Sequence, residues 1–140
     1  LTFCAGSFSA GEHNDCVAMA KQFADRTHFV HLRSCYIFPN GNFTEASHLG
    51  GRGHLIDLCR IFEKAEQEGK CNSGRRLPMR VDHGMTFTDE PGGVFDESNH
   101  GHNAGYTLLG RMFAMGQIQG VIATVDDELG IDYKQPGFYD

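Results

Sequence analysis

Three short apolar segments, each followed by a stretch of helical periodicity, are the feature that most constrains the fold of this chain. The segments read LTFCAG, THFVHLRS and RLPMRV. The helical stretches, with apolar residues three and four positions apart, cover residues 14–25, 55–69 and 107–125. Strands that alternate with helices in this way pair in parallel through helical crossovers. The pattern therefore predicts an α/β fold with parallel strands.

The remaining sequence predicts loops and a tail around a single domain. A chain of 140 residues is long enough for one domain with a core of its own. Glycine, proline and asparagine mark residues 35–53 and 85–105, and both stretches are predicted to be irregular. We expect residues 1–125 to form the domain and residues 126–140 to form an acidic, irregular tail.

Composition restricts the possible partners and the compartment. The net charge of −6 argues against nucleic acid as a partner. No segment approaches the roughly 18 consecutive apolar residues that a membrane span requires, so no membrane association is predicted. The five cysteines lack CxxC spacing, which favours a reducing compartment, the cytoplasm. The chain opens on LTFCAG without a methionine or a basic segment, so we expect a piece of a longer protein without a secretory signal.

Each predicted strand ends on a chemically reactive side chain. The first ends at Cys4, the second at His31 and the third at Asp82. In parallel α/β folds the carboxyl ends of the strands meet at one edge, where ligands bind. A thiolate, an imidazole and a carboxylate together form a plausible ligand set for a divalent metal. The sequence therefore predicts a metal site at this edge.

Each of these residues also has a structural interpretation. Cys4 by itself is typical of a small core residue, and His31 by itself is typical of a hydrogen-bonded structural histidine. Asp82 and His83 could cap the loop that follows them. The HGH sequence at 100–102 could add further metal ligands, although an exposed loop is the simpler interpretation. The recurrence at three successive strand ends favours the metal site.

Several motifs together resemble the C-terminal part of the mannonate dehydratase family. They read FCAGS, FADRTHFVHLRS, FTEASHL, LPMRVDHG and GYTLLGR, and they cover residues 1–125. HLRS and MRxDHG in this order are the most specific of them. The resemblance implies a (β/α)8 TIM barrel, which needs about 250 residues. Residues 1–125 would then be the last three or so βα units, with the earlier strands missing from this chain.

The resemblance also implies an activity and a set of site residues. The family dehydrates D-mannonate to 2-dehydro-3-deoxy-D-gluconate in hexuronate catabolism with a divalent metal. Mn²⁺ is the expected ion, with Fe²⁺ or Co²⁺ as alternatives. Cys4, His31 and Asp82 match its metal ligands, while a further histidine ligand would lie upstream of Leu1. His83 and Tyr106 match its acid–base pair, and which of them is the base stays open. The candidates for binding the sugar acid are Arg33, Ser34, His48 and Arg80.

Two other interpretations remain open at this point. A sugar isomerase or epimerase of similar barrel type could use the same metal to move protons without losing water. Alternatively, the chain could be a non-catalytic fragment that binds a metal or a partner. Part of a barrel would expose strand edges and apolar helix faces. We therefore expect it to form a homo-oligomer or to associate with the missing N-terminal part, and to be inactive alone.

Overall fold

The computed structural model describes residues 1–87 and 105–132. The elements in these ranges, in chain order, are β1 (Thr2–Cys4), α1 (Ala5–Ser9), α2 (Cys16–Phe23), β2 (Phe29–His31), β3 (Cys35–Ile37), β4 (Phe43–Glu45), α3 (Leu55–Gln67), β5 (Met79–Arg80) and α4 (Leu108–Leu129). Short 3-10 turns follow α2 and precede β5. The HGH sequence at 100–102, considered above as a possible chelator, lies outside the described residues.

Three strands of the described region form a parallel sheet in the order β1-β2-β5. Both neighbouring pairs are parallel, so the alternation read from the sequence and the α/β class are confirmed. In the register of this sheet Cys4 lies beside His31, and His31 lies beside Arg80. These residues form one row across the carboxyl ends of the strands.

The core lies between this sheet and the helices that cross over it. Phe3 of β1 and Val30 of β2 are fully buried, as are Leu58 and Phe62 of α3. The rings of Phe3 and Phe62 meet edge to face, with centroids 5.2 Å apart. Burying a side chain of this size contributes about 1.5–3 kcal/mol. The apolar stripe of α3 therefore attaches that helix to the sheet, and Gly69, with φ of +66°, follows the helix end as predicted.

Residues 35–53 are not irregular throughout, which corrects the prediction made from their glycines. Strands β3 and β4 form an antiparallel hairpin in which Cys35 pairs with Glu45 and Ile37 pairs with Phe43. The chain turns at Gly41, whose φ of +85° is a conformation that glycine adopts without steric cost. The backbone N–H of Phe38 closes the turn on the carbonyl of Asn42 at 2.7 Å. The Asn-Gly pair between two short apolar runs was the overlooked hairpin signal.

The irregular tail was also predicted to begin too early in the chain, at residue 126. Helix α4 does not end at Val125 but continues to Leu129. Val125 and Asp126 are buried, so packing holds this part of the helix in place. The helix ends at Gly130, which adopts the left-handed conformation and donates its N–H to the carbonyls of the last turn. Residues 133–140 lie outside the described residues.

Helix α4 is also long and apolar enough, by length and composition alone, to cross a membrane. The absence of membrane association expected from the sequence stays a prediction. One helix of this kind is weak evidence, since the core helix of a soluble protein passes the same test. Helix α4 packs along α3, where Arg60 and Glu128 form an ion pair at 2.9 Å. Its first turn leaves apolar side chains in solvent, with Leu108 71% exposed.

Candidate active site

The three predicted metal ligands converge at the carboxyl edge of the sheet. Ligand atoms of Cys4, His31 and Asp82 all lie within 4.8 Å of one another. The Cys4 Sγ is 3.9 Å from Asp82 Oδ2, and the His31 Nδ1 is 3.8 Å from the same oxygen. Two ligands that each bind an ion at about 2.0–2.3 Å are separated by such distances. The donor set therefore fits a single divalent cation.

Asp82 occupies a backbone conformation that is unusual for a non-glycine residue. Its φ is +57°, in the left-handed region that aspartate tolerates better than most residues. The side chain is buried, and burial on its own would raise the pKa of Asp82. Hydrogen bonds from Arg80 and Tyr106, with the charges of His83 and Arg80, outweigh this effect and lower the pKa below its ordinary value. The carboxylate is thus ionised near pH 7, which is the form that binds a cation.

His31 is held in the form that can bind a metal. Burial lowers the pKa of His31, and the positive charge of Arg80 lowers it further, while the charge of Asp82 opposes both. The net shift is downward from an ordinary value of 6.5. A neutral imidazole is the form that coordinates metals, so His31 needs to lose no proton at pH 7 in order to bind one.

Arg80 and Tyr106 form a polar group next to this cluster. One guanidinium nitrogen of Arg80 donates to Asp82 Oδ1 and, at 3.1 Å, to the hydroxyl oxygen of Tyr106. The Tyr106 hydroxyl donates to Asp82 Oδ1 at 3.0 Å. The side chain of Arg80 is 43% exposed, so its positive charge is accessible from solvent at this edge.

The two predicted acid–base residues are adjacent to each other and to the ligand cluster. The rings of His83 and Tyr106 meet edge to face with their centroids 4.3 Å apart. His83 directly follows Asp82, and Tyr106 contacts the same aspartate. On the other side, the Nδ1 of His83 lies 3.2 Å from Oε1 of Glu45. The structure therefore brings the proposed ligands and the proposed proton-transfer groups to one place.

The sequence predicted that Arg33 would offer its guanidinium to a substrate carboxylate. In the structure this guanidinium is instead occupied by Glu45. The Nε and Nη2 of Arg33 donate to the two carboxylate oxygens of Glu45 at 2.8 and 2.5 Å, and its guanidinium also lies over the ring of Phe43. Burial on its own would lower the pKa of Arg33, but the hydrogen bonds and charge of Glu45 raise it above the ordinary value. The two-pronged face that could bind a sugar-acid carboxylate is thus already paired.

Ser34 and His48, two further candidates for substrate binding, are both buried. The Ser34 hydroxyl donates to the carbonyl of Gly50 at 2.7 Å and accepts from the N–H of Gly53 at 2.9 Å. The Nε2 of His48 lies 2.9 Å from the carbonyl oxygen of Val81, which only accepts. In this structure both side chains hold the backbone around the site, and neither reaches the solvent-accessible edge.

A known protein family matches nearly the whole chain. The family model described as D-mannonate dehydratase (UxuA) matches residues 1–131 of the chain. The chain belongs to the D-mannonate dehydratase family.

Individual relatives carry the same name. The chain is 37% identical over 131 residues to mannonate dehydratase 2 of Agrobacterium fabrum, and the match covers 92% of this chain and 31% of the relative. It is 37% identical over 128 residues to mannonate dehydratase of Saccharophagus degradans, covering 90% of this chain and 31% of the relative. The chain thus spans about a third of the length of these curated relatives.

A solved structure supports the fold. The crystal structure of mannonate dehydratase from Streptococcus suis serotype 2 superposes with a TM-score of 0.72 at 19% sequence identity. The superposition covers 100% of this chain and 37% of that chain. The α/β arrangement of this family member is therefore also found in an experimentally determined relative.

Glu45 is a residue of the site that the motifs of this D-mannonate dehydratase family member did not indicate. Glu45 accepts two hydrogen bonds from Arg33 and lies 3.2 Å from His83, and its side chain is only 8% exposed. The available signal was its place in FTEASHL, where a glutamate interrupts a run of small and apolar residues. A glutamate buried in such a strand needs a cationic or hydrogen-bonding partner, and that requirement could have drawn attention to it.

Proposed function

We propose that this chain forms part of the active site of a metal-dependent hydro-lyase that dehydrates D-mannonate to 2-dehydro-3-deoxy-D-gluconate in hexuronate catabolism. The observation that carries the proposal is the convergence of Cys4, His31 and Asp82 within 4.8 Å, directly beside His83 and Tyr106. The names of the relatives give the substrate, since the site alone would serve several reactions next to a carboxylate.

The donor set supports a divalent metal at this position. A thiolate, an imidazole and a carboxylate combine soft and hard ligands, and we propose Mn²⁺ as the ion, with Fe²⁺ or Co²⁺ as alternatives. When bound, such an ion supplies Lewis-acid stabilisation of negative charge next to the substrate carboxylate. The roles of the three residues are to bind the ion and, through the sheet register, to keep it at the edge where the substrate enters.

His83 and Tyr106 carry the proton transfers. Dehydration breaks the C2–H bond, whose electron pair forms the C2–C3 double bond, and the C3 hydroxyl leaves as water after accepting a proton. The resulting enol becomes the 2-keto acid when its C2 hydroxyl loses a proton and C3 gains one. One group must accept the C2 proton and another must protonate the leaving oxygen. A neutral imidazole such as that of His83 offers both a lone pair and an N–H, and the Tyr106 hydroxyl offers a proton. The two residues divide these roles between them.

Arg80 replaces Arg33 as the strongest candidate for binding the sugar-acid carboxylate. Arg33 is paired with Glu45 inside the structure, whereas the Arg80 side chain is 43% exposed at the open edge. Guanidinium groups bind carboxylates through paired hydrogen bonds. The contact that Arg80 makes with Asp82 and Tyr106 then places a bound substrate carboxylate next to the ligand cluster.

We further propose that the parallel strands of this chain are the last three or so βα units of a (β/α)8 barrel. Strands β1, β2 and β5 adjoin in sequence order and in parallel, as consecutive barrel strands do. The remaining units would be supplied outside these 140 residues, by the rest of a longer chain or by association between copies. The exposed apolar side chains at the start of α4, Leu108 among them, support a partner surface there. On this proposal the isolated chain has no turnover.

The test is the conversion of D-mannonate by the full-length protein. We expect formation of a 2-keto-3-deoxy acid that chelation abolishes and Mn²⁺ restores. His83→Ala and Tyr106→Phe should each abolish most of it, while the matched controls His13→Ala and Tyr36→Phe, at exposed positions, should retain it. Formation of a ketose or an epimer without loss of water would instead support an isomerase or epimerase, and would refute dehydration.

A further inference from the structure

The carboxylate of Glu45 links two parts of the site that the sequence does not connect. Glu45 is the last residue of β4 and pairs with Cys35 across the hairpin. Its Oε2 accepts from Nε of Arg33 at 2.8 Å, and its Oε1 accepts from Nη2 of Arg33 at 2.5 Å. The same Oε1 lies 3.2 Å from Nδ1 of His83. The hairpin thereby contacts the proposed proton-transfer residue.

The position of this carboxylate is fixed by Arg33. Two parallel hydrogen bonds from one guanidinium hold both oxygens in a plane. The Arg33 side chain is itself confined, since a Cβ added at Gly6 would overlap its methylene carbons. The ring of Phe43 lies on the guanidinium, 5.9 Å from its centre. Glu45 is therefore a rigid acceptor and not a mobile surface carboxylate.

A rigid acceptor at this place favours one of the two neutral forms of the His83 ring. An ionised carboxylate accepts hydrogen bonds and cannot donate them. In the neutral imidazole one nitrogen is protonated and the other carries the lone pair. The contact between Nδ1 and Glu45 therefore favours the proton on Nδ1, and the basic lone pair is then on Nε2. A third group that orients a histidine in this way is a recurring part of proton-transfer sites.

We propose that Glu45 is the positioning residue for His83, and that Arg33 acts as the support for Glu45 and does not bind the substrate. The Nδ1 proton stays between His83 and Glu45 throughout the reaction. Proton exchange with the substrate takes place at Nε2, whose lone pair accepts the proton in one direction and is regenerated when the proton leaves. The charge of Glu45 stabilises the imidazolium that exists between these events. This inference rests on the proposed function for the role of His83 in turnover, but not for the contact between His83 and Glu45.

The direct test is the tautomer of His83, observed by ¹⁵N NMR of the metal-free full-length protein with ring-labelled histidine. The spectrum is recorded about two pH units above the ordinary histidine pKa of about 6.5, and the His83 signals are assigned by their loss in His83→Gln. We expect His83 to be predominantly protonated on Nδ1. In Glu45→Gln this preference should fall, because the amide can place its NH₂ group in the position of Oε1, where it faces the Nδ1 of His83.

A paired replacement guards against misfolding. Glu45→Leu combined with Arg33→Met removes both charges, so no buried guanidinium is left without a partner. If this variant melts cooperatively and His83 loses its preference for Nδ1, the positioning role is supported. If wild-type His83 is protonated on Nε2, or if neither variant changes the populations, the proposal is wrong. These outcomes do not depend on turnover, so they are separate from any failure to dehydrate D-mannonate.

Kinetics then test the consequence for the reaction. We expect Glu45→Gln to lower kcat by roughly 10- to 100-fold, by analogy with the loss of groups that orient metal-ligating histidines, with KM changed less than about threefold. Glu12→Gln, at an exposed position, is the matched control and should leave kcat unchanged. Glu45→Asp should restore part of the rate. A rise in KM with kcat unchanged would instead place the Glu45–Arg33 pair in substrate binding and overturn the assignment.

Discussion

Replacing Glu63 by glutamine should change how the stability of this chain depends on pH. Glu63 lies on α3 and is partly buried. Burial raises the pKa of Glu63 to about 7 from an ordinary value of 4.5, with further upward contributions from Asp126 and Glu66 and an opposing one from Arg76. Asp126 is a buried residue of α4, and burial also raises its pKa.

The sign and the ceiling of the effect follow from this shift. Between pH 4.5 and about 7 the folded chain holds a proton on Glu63 that the unfolded chain has lost. The free energy of unfolding therefore falls as the pH rises through this window. The shift amounts to about 2.5 pKa units, at 1.36 kcal/mol for each unit, which gives a ceiling of about 3 kcal/mol. Solvent contact reduces this figure, so we expect about 1–3 kcal/mol for the partly buried side chain.

Urea denaturation of wild type and Glu63→Gln at pH 5 and pH 8 measures the difference. The wild type should lose about 1–3 kcal/mol more than the variant between these two pH values. Glu12→Gln, at an exposed position, should follow the wild type. The reasoning would be refuted if the free energy of unfolding changed equally between pH 5 and pH 8 in wild type and Glu63→Gln. It would also be refuted by a ¹³C titration in which the Glu63 carboxyl has its midpoint near 4.5, the value from which the shift is counted.

Three further predictions concern the site. Cys4→Ala should weaken Mn²⁺ binding by at least about tenfold, measured by calorimetry, since one of the proposed ligands is lost; unchanged affinity would exclude the thiol as a ligand. Gly84→Ala should lower the free energy of unfolding by about 2–4 kcal/mol in thermal melts, because an added Cβ would overlap the backbone of Gly110. Gly116→Ala is the control, since the space around Gly116 is open. Arg80→Met should raise KM for D-mannonate by about 10-fold or more, as expected for a lost charge-assisted hydrogen bond; a KM equal to that of wild type would remove Arg80 from substrate binding.

The alternation of strands and helices could be read from the sequence because its signals are local. The stripe formed by Leu55, Leu58 and Phe62 repeats at the helical period within α3, and these residues are buried as that period requires. Parallel pairing then follows from the crossover connections alone. This topology alone is enough to predict that one edge of the sheet carries Cys4, His31 and Asp82. In the structure their ligand atoms do lie close together.

The side-chain contacts within the site could not be predicted from the sequence in the same way. The role of Arg33 depends on Glu45, twelve residues later in a hairpin, and no periodicity links the two positions. Ser34 and His48 belong to matching motifs, yet both are buried and bonded to backbone groups. A motif identifies residues that matter, but it does not separate side chains that touch a ligand from those that hold the surrounding backbone. That distinction depends on burial, which the sequence does not report.

The row formed by Cys4, His31 and Arg80 across three strands has a consequence for assembly of the sheet. Side chains alternate between the two faces of a strand, so a slip of β2 by a single residue would turn His31 to the opposite face. A cation that needs both Cys4 and His31 can therefore bind only the correctly aligned sheet. Its binding energy would be added to the native pairing and to none of the misaligned ones. The ion would thus act as a selector of strand alignment during folding, in addition to any part it has in the reaction.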